Sequence, residues 1–253
     1  MKVKYFDLKN KRVFISGGGS GIGATIVEHF CEQNSEVYFI DIDVKSSKKL
    51  ISNIKKKKKR VPKFIECNIL DIKKLQNIIK NIIVNKGPIH CLINSAANDD
   101  RHTTEQVDEK YWENRMGINL KHYFFAAQSV VKGMKKIKSG SIVNLSSVSW
   151  MLGEGDKVVY ETAKSAVIGL TRSFAQEFGK YNIRTNSVIP GSIATERQIK
   201  NWLTPKYKKL ILDSQALKRQ LKPDDVARLV LFLSSDQSSG CTKQSFIIDA
   251  GIT

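Results

Sequence analysis

The stretch Ser16-Gly17-Gly18-Gly19-Ser20-Gly21-Ile22-Gly23 constrains this chain more than any other. It follows an apolar, β-branched run at residues 12–16 and opens a helical pattern at 21–34. Glycines at 17, 21 and 23 let the backbone turn sharply and approach a bound group closely. The helix start adds free N–H groups and a positive dipole end, both of which attract an anion. A glycine loop alone also marks plain turns. Between a strand and a helix, at the head of a βαβ unit, it points to the pyrophosphate of a dinucleotide.

The rest of the chain continues that alternation. Residues 12–16, 36–41, 63–67, 89–94, 141–145, 183–188 and 245–248 read as strands. Helical patterns occupy 21–34, 46–58, 72–84, 158–179 and 223–234, with one long helical region at 109–136. A polar stretch at 190–220 reads as irregular and is the expected substrate lid. Near-continuous apolar strands between helices predict an α/β fold, a parallel sheet covered on both faces. No linker or repeat divides residues 1–253, so a single domain is expected, its dinucleotide-binding part at about 10–145.

Composition narrows the setting. No apolar run approaches the ~18 to 20 residues of a membrane span. Residues 1–10 lack the apolar core of a secretory signal, so a cytoplasmic location is expected. Cys31, Cys67, Cys91 and Cys241 are scattered without metal-ligand spacing, so no metal is expected. The net charge of +18 and the basic run at 55–60 favour anionic ligands. No aromatic residues interleave that run, so it reads as a solvated helix end rather than a nucleic-acid surface.

Five further positions carry chemistry. Asp41 ends the second strand, 18 residues after Gly23. A carboxylate there accepts both ribose hydroxyls of an adenosine and repels a 2′-phosphate, which favours NAD over NADP. Asp43 is the weaker alternative. Tyr160 and Lys164 stand four residues apart on a helix, one turn from each other. An ammonium beside a phenol is expected to favour the phenolate and make a proton-transfer device. Ser147 lies at the C-terminal edge of the fifth strand, where ligands sit in such sheets, with Ser146 as the competing choice. Asn119 falls inside the long helical region, where an asparagine is unfavourable without a reason.

SGGGSGIG, Asn94-Ser95-Ala96-Ala97, Asn119, Ser147, Tyr160, Lys164 and Pro190-Gly191 have the order and spacing of the short-chain dehydrogenase/reductase superfamily, which the chain resembles throughout. The resemblance implies a Rossmann-type, doubly wound sheet of seven strands, a nicotinamide dinucleotide and a homotetramer. It also implies a catalytic tetrad of Asn119, Ser147, Tyr160 and Lys164, in which the lysine also holds the nicotinamide ribose and the asparagine a water. The cofactor contacts it implies are Gly17, Ser20, Gly21, Ile22, Gly23, Asp41, Asn68, Ile69, Asn94, Ala96, Tyr160, Lys164, Pro190, Gly191, Ile193 and Thr195. Within the superfamily, the stretches at 98–102, 149–153, 195–198 and 249–251 are similar to sugar 1-dehydrogenases that oxidise D-xylose or L-arabinose with NAD. An aldose would then be held by Ser147 and Tyr160, with Asn98, Glu154 and Gln198 for its hydroxyls and Trp150 or Trp202 for its ring.

Several positions depart from the family pattern. Ser95 and Ala97 stand where Asn and Gly are usual, Asn68 where Asp is usual, and Ser16 where Thr is usual. The rival expectations are an NADP-dependent reductase of acyl or steroid carbonyls and a non-catalytic protein that binds a dinucleotide or nucleic acid.

Overall fold

The computed structural model describes residues 3–253; Met1 and Lys2, the start of the expected domain, lie outside the described residues. Among these, the strands are β1 (Arg12–Ser16), β2 (Glu36–Asp41), β3 (Lys63–Glu66), β4 (Cys91–Asn94), β5 (Gly140–Leu145), β6 (Ile183–Pro190) and β7 (Ser245–Ile248). They form one seven-stranded sheet in the order β3-β2-β1-β4-β5-β6-β7. Every ladder is parallel. Parallel neighbours need long crossovers. The helices α1 (Gly21–Glu32), α2 (Val44–Lys56), α3 (Ile72–Lys86), α4 (Glu109–Met116), α5 (His122–Ile137), α6 (Ser149–Leu152), α7 (Val158–Phe178), α8 (Glu196–Asn201), α9 (Pro205–Ser214) and α10 (Pro223–Ser234) lie in these crossovers.

The strands are apolar on both faces because both faces are covered. Val13 and Ile15 of β1 pack with Ile26, Val27 and Phe30 of α1 and Val226, Val230 and Leu231 of α10. Phe14, between them in sequence, packs on the opposite face with Leu75 and Ile79 of α3, Ala126 and Val130 of α5 and Phe174 of α7. The chain enters at the centre of the sheet, builds outward through β2 and β3, then crosses back to β4 on the other side of β1. That reversal leaves a crevice between the ends of β1 and β4, where a ligand sits in this architecture.

Several element ends differ from the sequence reading by one or two residues, and three departures have a visible cause. First, α2 starts at Val44 rather than 46, because the Asp43 carboxylate accepts the Ser46 N–H at 2.9 Å and caps it. Second, the long helical region at 109–136 is broken by a π-helical turn, Gly117–Lys121, between α4 and α5. Third, the segment at 190–220 is not irregular, since it holds α8 and α9. Thr195 caps α8 by accepting the Gln198 N–H, and Thr204 caps α9 with Pro205 in its first turn. Neither helix carries a fully buried residue, so the apolar stripe that marks a helix in sequence is weak there.

Candidate active site

A cleft of about 620 Å³ opens over the β1–β4 crevice and runs from Asp41 to Tyr160. Its floor is the glycine loop. Gly17 has φ +68°, and a Cβ there would lie 2.6 Å from the Ala96 Cα. A Cβ at Gly23 would lie 1.9 Å from the Gly17 carbonyl oxygen, so only glycine lets α1 begin so close to the loop. The Ser16 hydroxyl, at the end of β1, accepts from the Ser95 and Ala96 N–H groups at 3.1 and 3.3 Å. Those bonds pin the start of the loop to the end of β4. The result is a backbone cradle at a helix N-terminus, and its residues fit a dinucleotide pyrophosphate.

Along the cleft wall lie Gly17, Ser20, Ile22 and Gly23 from the loop, Asn68 and Ile69 after β3, and Ala96 after β4. Pro190, Gly191, Ile193 and Thr195 line it from the end of β6. Asp41 lines it at the far end, where its carboxylate accepts the N–H groups of Gly19 at 2.8 Å and Asp43 at 2.9 Å. The Asn68 amide oxygen accepts the Leu70 N–H at 3.0 Å. Two expected cofactor contacts lie off the wall. Gly21 faces Thr195, whose Cγ2 is 3.4 Å from where a Cβ would stand. Asn94 is fully buried and donates to the Asn144 side chain at 2.8 Å, so its amide stitches β4 to β5 beneath the cleft.

Ser147, Tyr160 and Lys164 meet at the inner end. Ser147 accepts the Ser149 N–H at 3.2 Å and shares a 3.0 Å hydrogen bond with the Ser149 hydroxyl. Its competitor, Ser146, is buried and donates to the Lys164 carbonyl, which removes it from the chemistry. Lys164 is 1% exposed, and its Nζ sits 5.6 Å from the Tyr160 ring centroid. Its ammonium donates to the Tyr123 hydroxyl at 2.9 Å and to the Leu145 carbonyl at 2.8 Å. Burial pulls that ammonium down to about 7, with the Asp99 carboxylate opposing. Burial pushes the Tyr160 phenol well above its ordinary value, Asp99 adds to this, and the Ser147 hydroxyl works the other way. The expected lowering of the phenol by its lysine is therefore corrected. Burial outweighs it, and the hydrogen bonds of Lys164 run to Tyr123 and Leu145.

Asn119 sits in the π-turn, fully buried and off the cleft wall. Its amide brackets Asn98, accepting the Asn98 N–H at 2.9 Å and donating to the Asn98 carbonyl at 3.0 Å. It also donates to the Arg115 carbonyl at 3.0 Å. This is the reason an asparagine interrupts the helix: it fixes the loop after β4 that forms one cleft wall.

At the substrate end, Asn98, Glu154 and Gln198 line the cleft. The Asn98 oxygen accepts the Asp100 N–H at 2.9 Å, Glu154 pairs with Lys157, and Gln198 donates to Asp99 at 2.7 Å. Trp150 is not on the cleft wall, and its indole nitrogen is buried without a partner. Trp202 is also off the wall and lies under the Arg101 guanidinium, 4.6 Å from the ring. Neither tryptophan lies on the cleft wall as the sugar platform expected of it, and Arg101 covers the Trp202 ring.

Sequence reasoning missed Asp99, Tyr123 and His122. Asp99 lines the cleft and bears on both Tyr160 and Lys164. Tyr123 is fully buried and donates to the Leu145 carbonyl at 2.9 Å, and burial raises its phenol far above the ordinary value. His122 lies 3.3 Å from the Ser16 hydroxyl, and burial drives it down to about 3. For His122 and Tyr123 the signal was a polar group within an otherwise apolar helix face; Asp99, in the loop after β4, had none.

Comparison with known proteins agrees with this geometry. A family profile described as enoyl-(acyl carrier protein) reductase matches residues 17–253. The chain is 42% identical over 247 residues to D-xylose 1-dehydrogenase of Caulobacter vibrioides, covering 98% of this chain and 97% of that one. It is 39% identical over 246 residues to the probable galactose dehydrogenase GalD of Rhizobium meliloti, covering 97% and 96%. Among solved structures, a 3-oxoacyl-[acyl-carrier protein] reductase from Brucella melitensis superposes with a TM-score of 0.91 at 25% identity, covering 100% and 98%. The chain is an oxidoreductase acting on CH–OH groups with a nicotinamide dinucleotide, and it belongs to the short-chain dehydrogenase/reductase family.

Proposed function

We propose that this protein oxidises an aldose at C1, a pentose such as D-xylose or L-arabinose, with NAD, releasing the aldonolactone. The observation that carries the reading is the meeting of Ser147, Tyr160 and Lys164 at one end of a cleft whose other end is closed by Asp41. Its support from relatives is the identity to D-xylose 1-dehydrogenase and to the galactose dehydrogenase.

The Ser147 hydroxyl orients the C1 oxygen. Tyr160, as phenolate, takes the C1 hydroxyl proton while the C1–H bond breaks, and the C1–O bond gains double-bond character. Lys164 supplies the positive charge behind the phenolate. The bound oxidised dinucleotide supplies the hydride acceptor and a second positive charge that offsets the burial of the phenol. Asn98, Glu154 and Gln198 are placed to meet the remaining sugar hydroxyls. Asp41 disfavours a 2′-phosphate and so favours NAD over NADP. The protein acts in the cytoplasm as a homotetramer. No helix among the described residues is long and apolar enough to cross a membrane, and Phe124 on α5 is left 42% exposed beside Phe174 of α7.

A second reading, reduction of an acyl carbonyl with NADPH, draws on the family description and the Brucella structure. One experiment separates the two: formation of NADH from NAD, or of NADPH from NADP, with a panel of pentoses, hexoses and uronic acids, beside NADPH consumption with a 3-oxoacyl thioester. Turnover of a pentose with NAD supports the proposal. Thioester reduction with NADPH and silence on every sugar overturns it.

A further inference from the structure

Lys164 poses a problem that the proposed chemistry does not solve. A lysine ammonium is almost never buried without a partner, and this one is 1% exposed. Its hydrogen bonds run to two neutral oxygens, the Tyr123 hydroxyl at 2.9 Å and the Leu145 carbonyl at 2.8 Å. The Tyr123 hydroxyl donates to the same carbonyl at 2.9 Å, which turns its lone pairs toward the lysine. The three groups close a triangle beneath the cleft. It uses two of the three ammonium hydrogens and leaves the third for the cleft that Lys164 lines.

We propose that Tyr123 is a positioning residue for the reaction, acting through Lys164: its phenol, fixed on the Leu145 carbonyl, accepts from the ammonium and keeps it protonated while Tyr160 ionises. The proposal rests on the assignment of Tyr160 and Lys164 above. The titratable groups facing this ammonium are Asp99 from the loop after β4, Tyr123 and His122 from α5, and Tyr160 from its own helix. Glu154 and Glu161 act on Tyr160. His122 stays neutral in its buried position, so it adds no charge. Of the group, Tyr123 alone accepts a hydrogen bond directly from the ammonium.

Losing the Tyr123 oxygen disfavours the ammonium but leaves Tyr160 ionisation beside a charged Lys164 unchanged. At low pH, where Lys164 is charged in either protein, the variant therefore matches the native rate. As pH rises, its Lys164 loses the proton first and the active pair is depleted. A hydrogen bond to a charged group corresponds to about a tenfold change or more in such an equilibrium. Stability follows the opposite course. The lost bond costs most where the ammonium is charged and least where it is neutral.

The test compares Tyr123→Phe with the native protein in two ways. With D-xylose and NAD, kcat/KM is expected within about twofold of native at pH 6, with a deficit growing to about tenfold at pH 9. Without any ligand, its Tm is expected to fall by about 4 °C more at pH 6 than at pH 9. A deficit equal at every pH, or none, overturns the proposal, as does an equal Tm loss at both pH values. Tyr123→Met, which lacks the oxygen but differs in shape, must reproduce the pattern if the Phe variant folds poorly. Tyr160→Phe is the control for the parent reading. If it keeps its turnover, the assignment of Tyr160 falls. If it is dead while Tyr123→Phe shows no pH-dependent loss, only the present proposal falls.

Discussion

The two ends of the cleft are held by different kinds of contact. At the dinucleotide end the tightest approaches are backbone on backbone: Gly17 against Ala96, Gly23 against Gly17. At the substrate end, side chains tie α8 to the loop after β4. Arg197 pairs with Asp100 at 2.6 Å and Asp99 at 3.2 Å, and Gln198 donates to Asp99 at 2.7 Å. Backbone contacts have no slack, so the first end works only with glycine in place. Side-chain ties can be exchanged singly, so the second end is where one fold can serve different substrates.

Substitutions in the two ends sharpen that contrast. The largest effect is expected at the rigid end. Gly17→Ala places a Cβ 2.6 Å from the Ala96 Cα at φ +68°. Left-handed strain and overpacking together are expected to cost roughly 2–5 kcal/mol and to weaken NADH binding at least ~100-fold, about 2.7 kcal/mol. Fluorescence titration with NADH and thermal melting check this, and near-native affinity would show that the loop has slack after all.

A smaller effect is expected where His122 meets the cradle through Ser16. Its folded pKa is depressed from 6.5 to about 3, so the native state refuses a proton that the unfolded chain accepts. Above about 6.5 the group contributes no pH dependence. As pH falls from there toward about 3, it costs up to about 1.4 kcal/mol per pH unit. His122→Gln should flatten the fall of Tm between pH 6 and pH 5. An unchanged slope would mean that water reaches the imidazole.

The smallest effect belongs to the adjustable end. Arg197 is 44% exposed, and solvent-exposed ion pairs contribute about 0.2–1 kcal/mol each. Arg197→Ala should raise the sugar KM roughly twofold to fivefold, within that energy range, and leave NADH affinity unchanged. A loss of NADH affinity instead would mean that the two ends are not separate.

The same contrast explains what was legible in the sequence. β1, β2, α10 and β7 match their expected residues, because strand runs bounded by glycine or polar residues and a Pro-started helix are local signals. The glycine loop is local too. Asp99 was not legible, since its partners Arg197 and Gln198 lie 98 and 99 positions away and only the fold brings them together. Tyr123 passes in sequence for one more core aromatic, and its role depends on a lysine 41 positions later. Trp150, expected at the sugar ring, lies off the cleft wall, and an indole beside a site has the same sequence signature whether or not it faces the ligand. The π-turn at Asn119 leaves no mark on hydrophobic periodicity; only the cost of a mid-helix asparagine hinted at it.

The most direct test follows the hydrogen itself. D-xylose carrying deuterium at C1 is supplied with NAD, and the nicotinamide product is examined by mass spectrometry. The expected result is one deuterium transferred to the dinucleotide for each lactone formed, with Tyr160→Phe forming neither. Unlabelled NADH, or no reduction with any C1-labelled aldose, would contradict oxidation at C1.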